Sequence, residues 1–325
     1  MAQLGRRRRR RQDRQHVLTR TASAAGPRQR AGDRVFAGST RAASLLILLA
    51  LAGVAVFLTV EGMPAFTASR EDLYGATSFV AFVWPLLFGT LLAALLAMVI
   101  ATPLALGCAL VISHYAPRRV ARAAGYLIDL LAAIPSVVYG LWGIGYFGAR
   151  MAPIYEWLSL HLGFLPLFAG PASATGRTIL TAAVVLAIMA IPIITAISRE
   201  VFLQTPKLHE EAALALGATR WEMIRMAVLP HARSGVVSAV MLGLGRALGE
   251  TMAVAMVLSA SGVVTFDLIS SENPSTIASN IALQFPESTG MRVNVLIASG
   301  LVLFVVTFLV NFAARAIVAR EPKER

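Results

Sequence analysis

Residues Trp84–Ser113 read WPLLFGTLLAALLAMVIATPLALGCALVIS, thirty residues without an acidic, basic or histidine side chain. At about 1.5 Å of rise per residue, a helix of this length exceeds the ~30 Å hydrocarbon layer of a bilayer. Backbone groups in lipid find no water, so they must be satisfied within their own segment, and the helix does this. The alternation of a membrane β-barrel strand is absent here. This stretch makes the chain a polytopic all-α membrane protein.

Working outward, five more apolar stretches have spanning length: Ala42–Val60, Tyr126–Gly148, Thr178–Ser198, Gly235–Ser261 and Val293–Ala314. Six transmembrane helices are therefore expected over 42–318, with a basic tail at 1–41 and a short tail at 319–325. Composition agrees: 57% of residues are hydrophobic, only 14% are charged, and mean hydropathy is +0.70. A soluble domain carries about a quarter charged residues, so one large soluble core is excluded. Pro103, Pro135 and Pro192 fall inside spans and are expected to bend them.

Charge placement sets the orientation. With the N-terminus inside, the inner segments hold 24 lysines and arginines and the outer ones 4. Without the twelve arginines of residues 1–41 the ratio is still 12 to 4. By the positive-inside rule both termini are cytoplasmic. The tail, with its run Arg6–Arg11, reads as a disordered segment meeting anionic lipid rather than as a nucleic-acid arm. It is too long and lacks the cleavage site of a signal peptide.

Enzyme chemistry finds no foothold. Cys108 is the only cysteine, and the five histidines are scattered without metal-ligand spacing. No nucleotide-binding loop or catalytic triad signature is present, so no cofactor is expected on this chain. If ATP drives the protein, ATP and magnesium sit on a partner subunit.

Two motifs carry function. The first lies in the inner loop 199–234: Pro206 opens a short helix, Glu210 and Glu211 suit its positive end, and Gly217 closes it. A second amphipathic stretch, Trp221–Val228, leads to Leu229-Pro230. The second motif is Gly243-Leu-Gly-Arg246-Ala-Leu-Gly-Glu250-Thr251-Met252 in the fifth span. An arginine at mid-bilayer costs roughly 2.5–3.5 kcal/mol on insertion scales, so it calls for a reason. Arg246 and Glu250 are four apart and are expected on one helical face, continued by Ala239 and Gly243. Gly245 and Gly249 are expected to admit a neighbouring helix. The pair reads either as a structural ion pair or, preferably, as part of a translocation path. Arginine's planar fork suits an oxyanion, and a nearby carboxylate accepts a hydrogen bond from protonated phosphate but not from sulfate. Replacing Glu250 by Gln is accordingly expected to damage phosphate uptake.

Glu211-Ala212-Ala213, then Gly217 and Leu229-Pro230, resemble the EAA loop of ABC importer permeases; Ala227 departs from the branched residue usual there. Gly245–Met256 (GRALGETMAVAM) and Ala133–Leu141 (AIPSVVYGL) are similar to the PstC-type permeases of bacterial phosphate importers, a likeness extending over roughly 40–318. The resemblance implies a MetI-like type I importer fold. It also implies coupling to an ATPase through Glu211, Ala212, Ala213, Gly217, Leu229 and Pro230. Arg246, Glu250 and more weakly Thr251 would line the substrate path. The implied partners are a second permease, a cytoplasmic ATPase dimer and an extracytoplasmic phosphate-binding protein. Rival readings are a permease for sulfate or molybdate, a gradient-driven carrier with Glu250 as proton site, and a membrane-embedded enzyme, for which no residue cluster speaks.

Overall fold

The computed structural model describes residues 31–259 and 261–319. It is helical, and no β-sheet forms among the described residues; the one isolated bridge joins Ser261 and Pro274. The chain divides into two units, 1–56 and 57–325. The first unit is described from Ala31 and consists of helix α1 (Ala31–Gly62) up to Val56. Its side chains from Val35 onward are almost all exposed and, from Ala42, overwhelmingly apolar. Such a surface is stable only against hydrocarbon or another apolar partner. The helix starts eleven residues earlier than the expected span. The remaining tail, 1–30, lies outside the described residues, as does 320–325.

In the second unit, α2 (Phe79–Leu110) is capped by Ser78, whose Oγ accepts from the Ala81 amide at 3.2 Å. A π-helical turn, Val111–Tyr115, finishes it. Then come α3 (Arg118–Ala132), α4 (Ser136–Trp142) and α5 (Ala149–Leu162). Helix α6 (Ile179–Leu203) is capped by Thr178. The elbow helices α7 (Lys207–Ala215) and α8 (Arg220–Met223) precede α9 (Leu229–Gly249) and α10 (Met252–Val257). Helices α11 (Ile277–Gln284) and α12 (Met291–Ala319) complete the unit.

Five helical stretches are long and apolar enough to cross a membrane: Val35–Thr67, Phe79–Tyr115, Ile179–Leu203, Arg220–Gly249 and Met291–Ala316. Two expected spans differ in their course or bounds. The expected third span is broken between Ala132 and Ser136, and the helices on either side are bent by 88°. Pro135 accounts for this, since it offers no N–H and pushes the preceding residue out of helical conformation. Pro103 and Pro192, by contrast, stay inside α2 and α6. The expected fifth span ends at Gly249, because Glu250 is extended (φ −69°, ψ 128°).

The core forms where α2 meets α6. Ala93, Ala97, Ala101 and Ala105 recur every four residues along one face of α2, each at most 1% exposed. They pack in the cluster that holds Ala182, Val185, Met189 and Ile194 of α6. Without a hydrophobic drive between helices in lipid, small residues gain contact by letting backbones approach closely. Thr195 of α6 donates to the Ala105 carbonyl of α2 at 3.2 Å, across that seam. Gly243 brings α9 into the same core: a Cβ there would lie 2.7 Å from Ile194 Cδ1.

Candidate functional site

Helix α9 has two differently used faces. Ala239, Gly243 and Ala247 are buried. Ser234, Ser238, Leu242 and Arg246 recur every four residues and line a cavity of about 700 Å³. Ile193 of α6 and Asn311 and Arg315 of α12 complete its wall. Arg246 lies seven residues from Ala239 and three from Gly243, at the edge of the buried face, where its side chain borders the cavity. Its Nε is buried without a hydrogen-bond partner. Nearby, the Tyr139 hydroxyl donates to the Leu131 carbonyl at 3.0 Å across the break between α3 and α4.

Glu250 does not continue the Arg246 face, because the helix has ended. Its Oε1 accepts from the Ala253 amide at 3.2 Å, so the buried carboxylate caps α10. Thr251, half-buried, begins α10 with no side-chain cap of its own. No carboxylate lies within 4.0 Å of the Arg246 guanidinium among the described residues, so the pair is not the structural ion bridge the spacing allowed. Neither Glu250 nor Thr251 lines the cavity. Gly245 and Gly249 do not serve close approach within this chain, since a Cβ on either meets open space.

The cavity wall thus offers two guanidiniums, two hydroxyls and an amide among apolar side chains, and no carboxylate. That set of donors suits an oxyanion. Sequence reading found Arg246 but not Ser234, Ser238, Asn311 or Arg315. An asparagine in the last span, four residues before an arginine, was the available signal.

The elbow is built by local turn chemistry. Helix α7 begins after Pro206 and ends in a Schellman closure: the Ala218 amide bonds the Ala213 carbonyl at 3.2 Å and the Gly217 amide the Leu214 carbonyl at 3.0 Å. Gly217 takes φ +88°, which a residue with a side chain adopts only with strain. Thr219 and Glu222 then form a reciprocal capping box that starts α8.

What the elbow touches matters more. Ala213 is buried with Ala109 of α2, Phe202 of α6, Met223 and Ile224, and Val228 and Ala232 at the start of α9. Leu229 packs against the same cluster, while Pro230 is exposed. Glu210 lies 3.7 Å from His114 at the end of α2, and Ser113 Oγ is 2.7 Å from the other ring nitrogen of that histidine. Glu211 and Ala212 face outward, beside the exposed apolar side chains Leu208, Leu216 and Trp221. The elbow is thereby joined to three long helices on one side and free on the other.

Residues 101–321 match the family model described as binding-protein-dependent transport system inner membrane component. The phosphate transport system permease protein PstC 2 of Mycobacterium tuberculosis is 47% identical over 300 residues, covering 89% of this chain and 92% of that protein. PstC of Mycobacterium leprae is 42% identical, covering 81% and 86%. PstC of Mesorhizobium japonicum is 36% identical, covering 89% and 90%. Among solved structures, a bacterial ABC transporter importing the acidic polysaccharide alginate aligns with TM-score 0.56 at 16% identity, over 87% of this chain and 99% of that one. The inward-facing MetNI methionine ABC transporter gives 0.50 at 20%, over 73% and 93%. These two share the fold. On the strength of the family match and the PstC relatives, the chain belongs to the permeases of binding-protein-dependent transport systems, in their PstC branch.

Proposed function

We propose that this chain is the membrane permease of an ATP-driven importer of inorganic phosphate, and that substrate passes through the cavity reached by Arg246. One observation carries this: an intramembrane guanidinium with an unpartnered Nε opens onto about 700 Å³ of cavity whose lining holds no carboxylate. The PstC relatives supply phosphate as the anion. Charge placement supports a cytoplasmic elbow and cytoplasmic termini, and the PstC relatives support a bacterial inner membrane. On the cytoplasmic side the exposed face of α7 is a seat for a separate ATPase dimer that binds ATP and magnesium. A second, PstA-type permease would complete the path, and an extracytoplasmic phosphate-binding protein would feed it. Because Ala213 and the His114–Glu210 contact tie the elbow to α2, α6 and α9, pushing it moves the helices that wall the cavity.

Glu250, in its capping position, does not supply the contact that would favour a protonated anion. Competition is therefore the sharp test of substrate. Cells lacking their own phosphate permease and carrying this chain with its partner subunits should take up radiolabelled phosphate. Arg246→Gln should lower the rate by about tenfold or more. Excess sulfate should leave uptake intact; uptake abolished by sulfate, or unchanged in the Arg246 variant, sinks the reading.

A further inference from the structure

We propose that Arg315, with Asn311 beside it, is a second anion-holding station in the same cavity, on the side where substrate leaves; this deepens the reading above and rests on it. The antiparallel course of consecutive spans supplies the geometry. Helix α9 runs away from the elbow and α12 returns toward that side. The C-terminal residues of α12 in the lining therefore lie level with the early residues of α9. Arg315 thus shares the cavity mouth with Ser234, while Arg246 lies twelve residues further along α9, about 18 Å deeper at helical rise. Asn311 is one turn deeper than Arg315 on the same face.

The chemistry of the four residues fits an anion moving between two cations. Arg315 is exposed, and no carboxylate lies within 4.0 Å of it among the described residues. Asn311 Nδ2 donates to the Thr307 carbonyl at 2.9 Å, which holds the amide on the helix while using one of its two hydrogens. Ser238 Oγ donates to the Ser234 carbonyl at 2.9 Å and keeps its lone pairs. A path with one deep cation would retain its anion. A second, solvated cation at the mouth makes a weaker site, and several weak sites in sequence let an ion enter and still leave. The competing occupant of the same chemistry is the phosphate of an anionic lipid headgroup, which an arginine near a helix end also reaches.

The test uses the complete complex of this chain with its partner permease and ATPase. It is held nucleotide-free in nanodiscs of neutral phosphatidylcholine or of phosphatidylcholine with phosphatidylglycerol. Binding of radiolabelled orthophosphate is measured by equilibrium dialysis at two salt concentrations. In neutral discs Arg315→Gln should weaken binding by about three- to tenfold, the range for one charge-assisted contact at a solvated position, and should flatten the salt dependence. Arg315→Lys should recover part of the loss and controls for assembly, and Asn311→Ala should weaken binding less. Parental binding by Arg315→Gln while Arg246→Gln loses binding overturns the second station but leaves the main reading standing. Parental binding and uptake by Arg246→Gln overturn both. An effect of Arg315→Gln confined to phosphatidylglycerol discs assigns the side chain to lipid and overturns the proposal.

Discussion

At the scale of single residues, glycines show how differently one residue type is used. Gly89 of α2 faces the returning loop, and a Cβ there would lie 2.5 Å from the Ser275 carbonyl oxygen. Backbone cannot swing aside as a side-chain tip does. Gly89→Ala should therefore destabilise the protein by about 1–3 kcal/mol, whereas Gly245→Ala, which meets nothing within 4 Å, should not. Thermal unfolding of the purified protein in detergent checks the pair; equal behaviour of the two variants would refute the packing argument. Glu250 makes a second case. Gln keeps an oxygen that can accept from Ala253, so Glu250→Gln should fold normally, while Glu250→Ala should lose about 1 kcal/mol of cap. Uptake by the Gln variant then reads the carboxylate's charge alone. The presence of a mid-span arginine and acid was plain in the sequence. Their separation was not, because spacing by four gives a shared face only while the helix continues through both.

At the scale of elements, the elbow was the most legible part. Pro206, Gly217 and the Thr219–Glu222 box act through bonds a few residues long, so local sequence suffices to write them. Gly217→Val should disrupt the end of α7, since a β-branched residue at positive φ is strongly strained. The expected result is uptake reduced at least severalfold with ATP hydrolysis no longer stimulated by substrate. The assay compares uptake and hydrolysis in the same reconstituted complex, and normal coupling would show that the closure is dispensable. The broken third span was less legible. Pro103, Pro135 and Pro192 look alike in sequence, yet only Pro135 sits at a break, which the Tyr139–Leu131 hydrogen bond then spans. Whether a proline bends a helix or ends it depends on the neighbours that re-satisfy the freed backbone groups, and these come from elsewhere in the chain.

At the scale of the whole molecule, long-range polar contacts fix how the second unit closes. Asn273, fully buried in the loop between α10 and α11, accepts from the Ile179 amide at 2.9 Å and donates to the Asp267 carbonyl at 2.5 Å. It thereby covers the start of α6, ninety-four residues away. Thr90 of α2 similarly accepts from the Ile277 amide at 3.0 Å, covering the start of α11. Asn273→Ala strands a buried amide and should cost about 1–3 kcal/mol, read as earlier unfolding on heating; Asn273→Asp keeps an acceptor but buries a charge, and should not rescue it. Membrane residence, the position of most spans and the residues that shape the elbow are all readable along the chain. Hydrocarbon thickness and turn chemistry are local constraints, written in consecutive residues. Three-dimensional packing was needed to show which side of α9 is core and which is cavity, that Glu250 caps a helix, and that Asn311 and Arg315 join Arg246. Those outcomes depend on where helices end and what packs beside them, and residues far apart in the chain supply that packing.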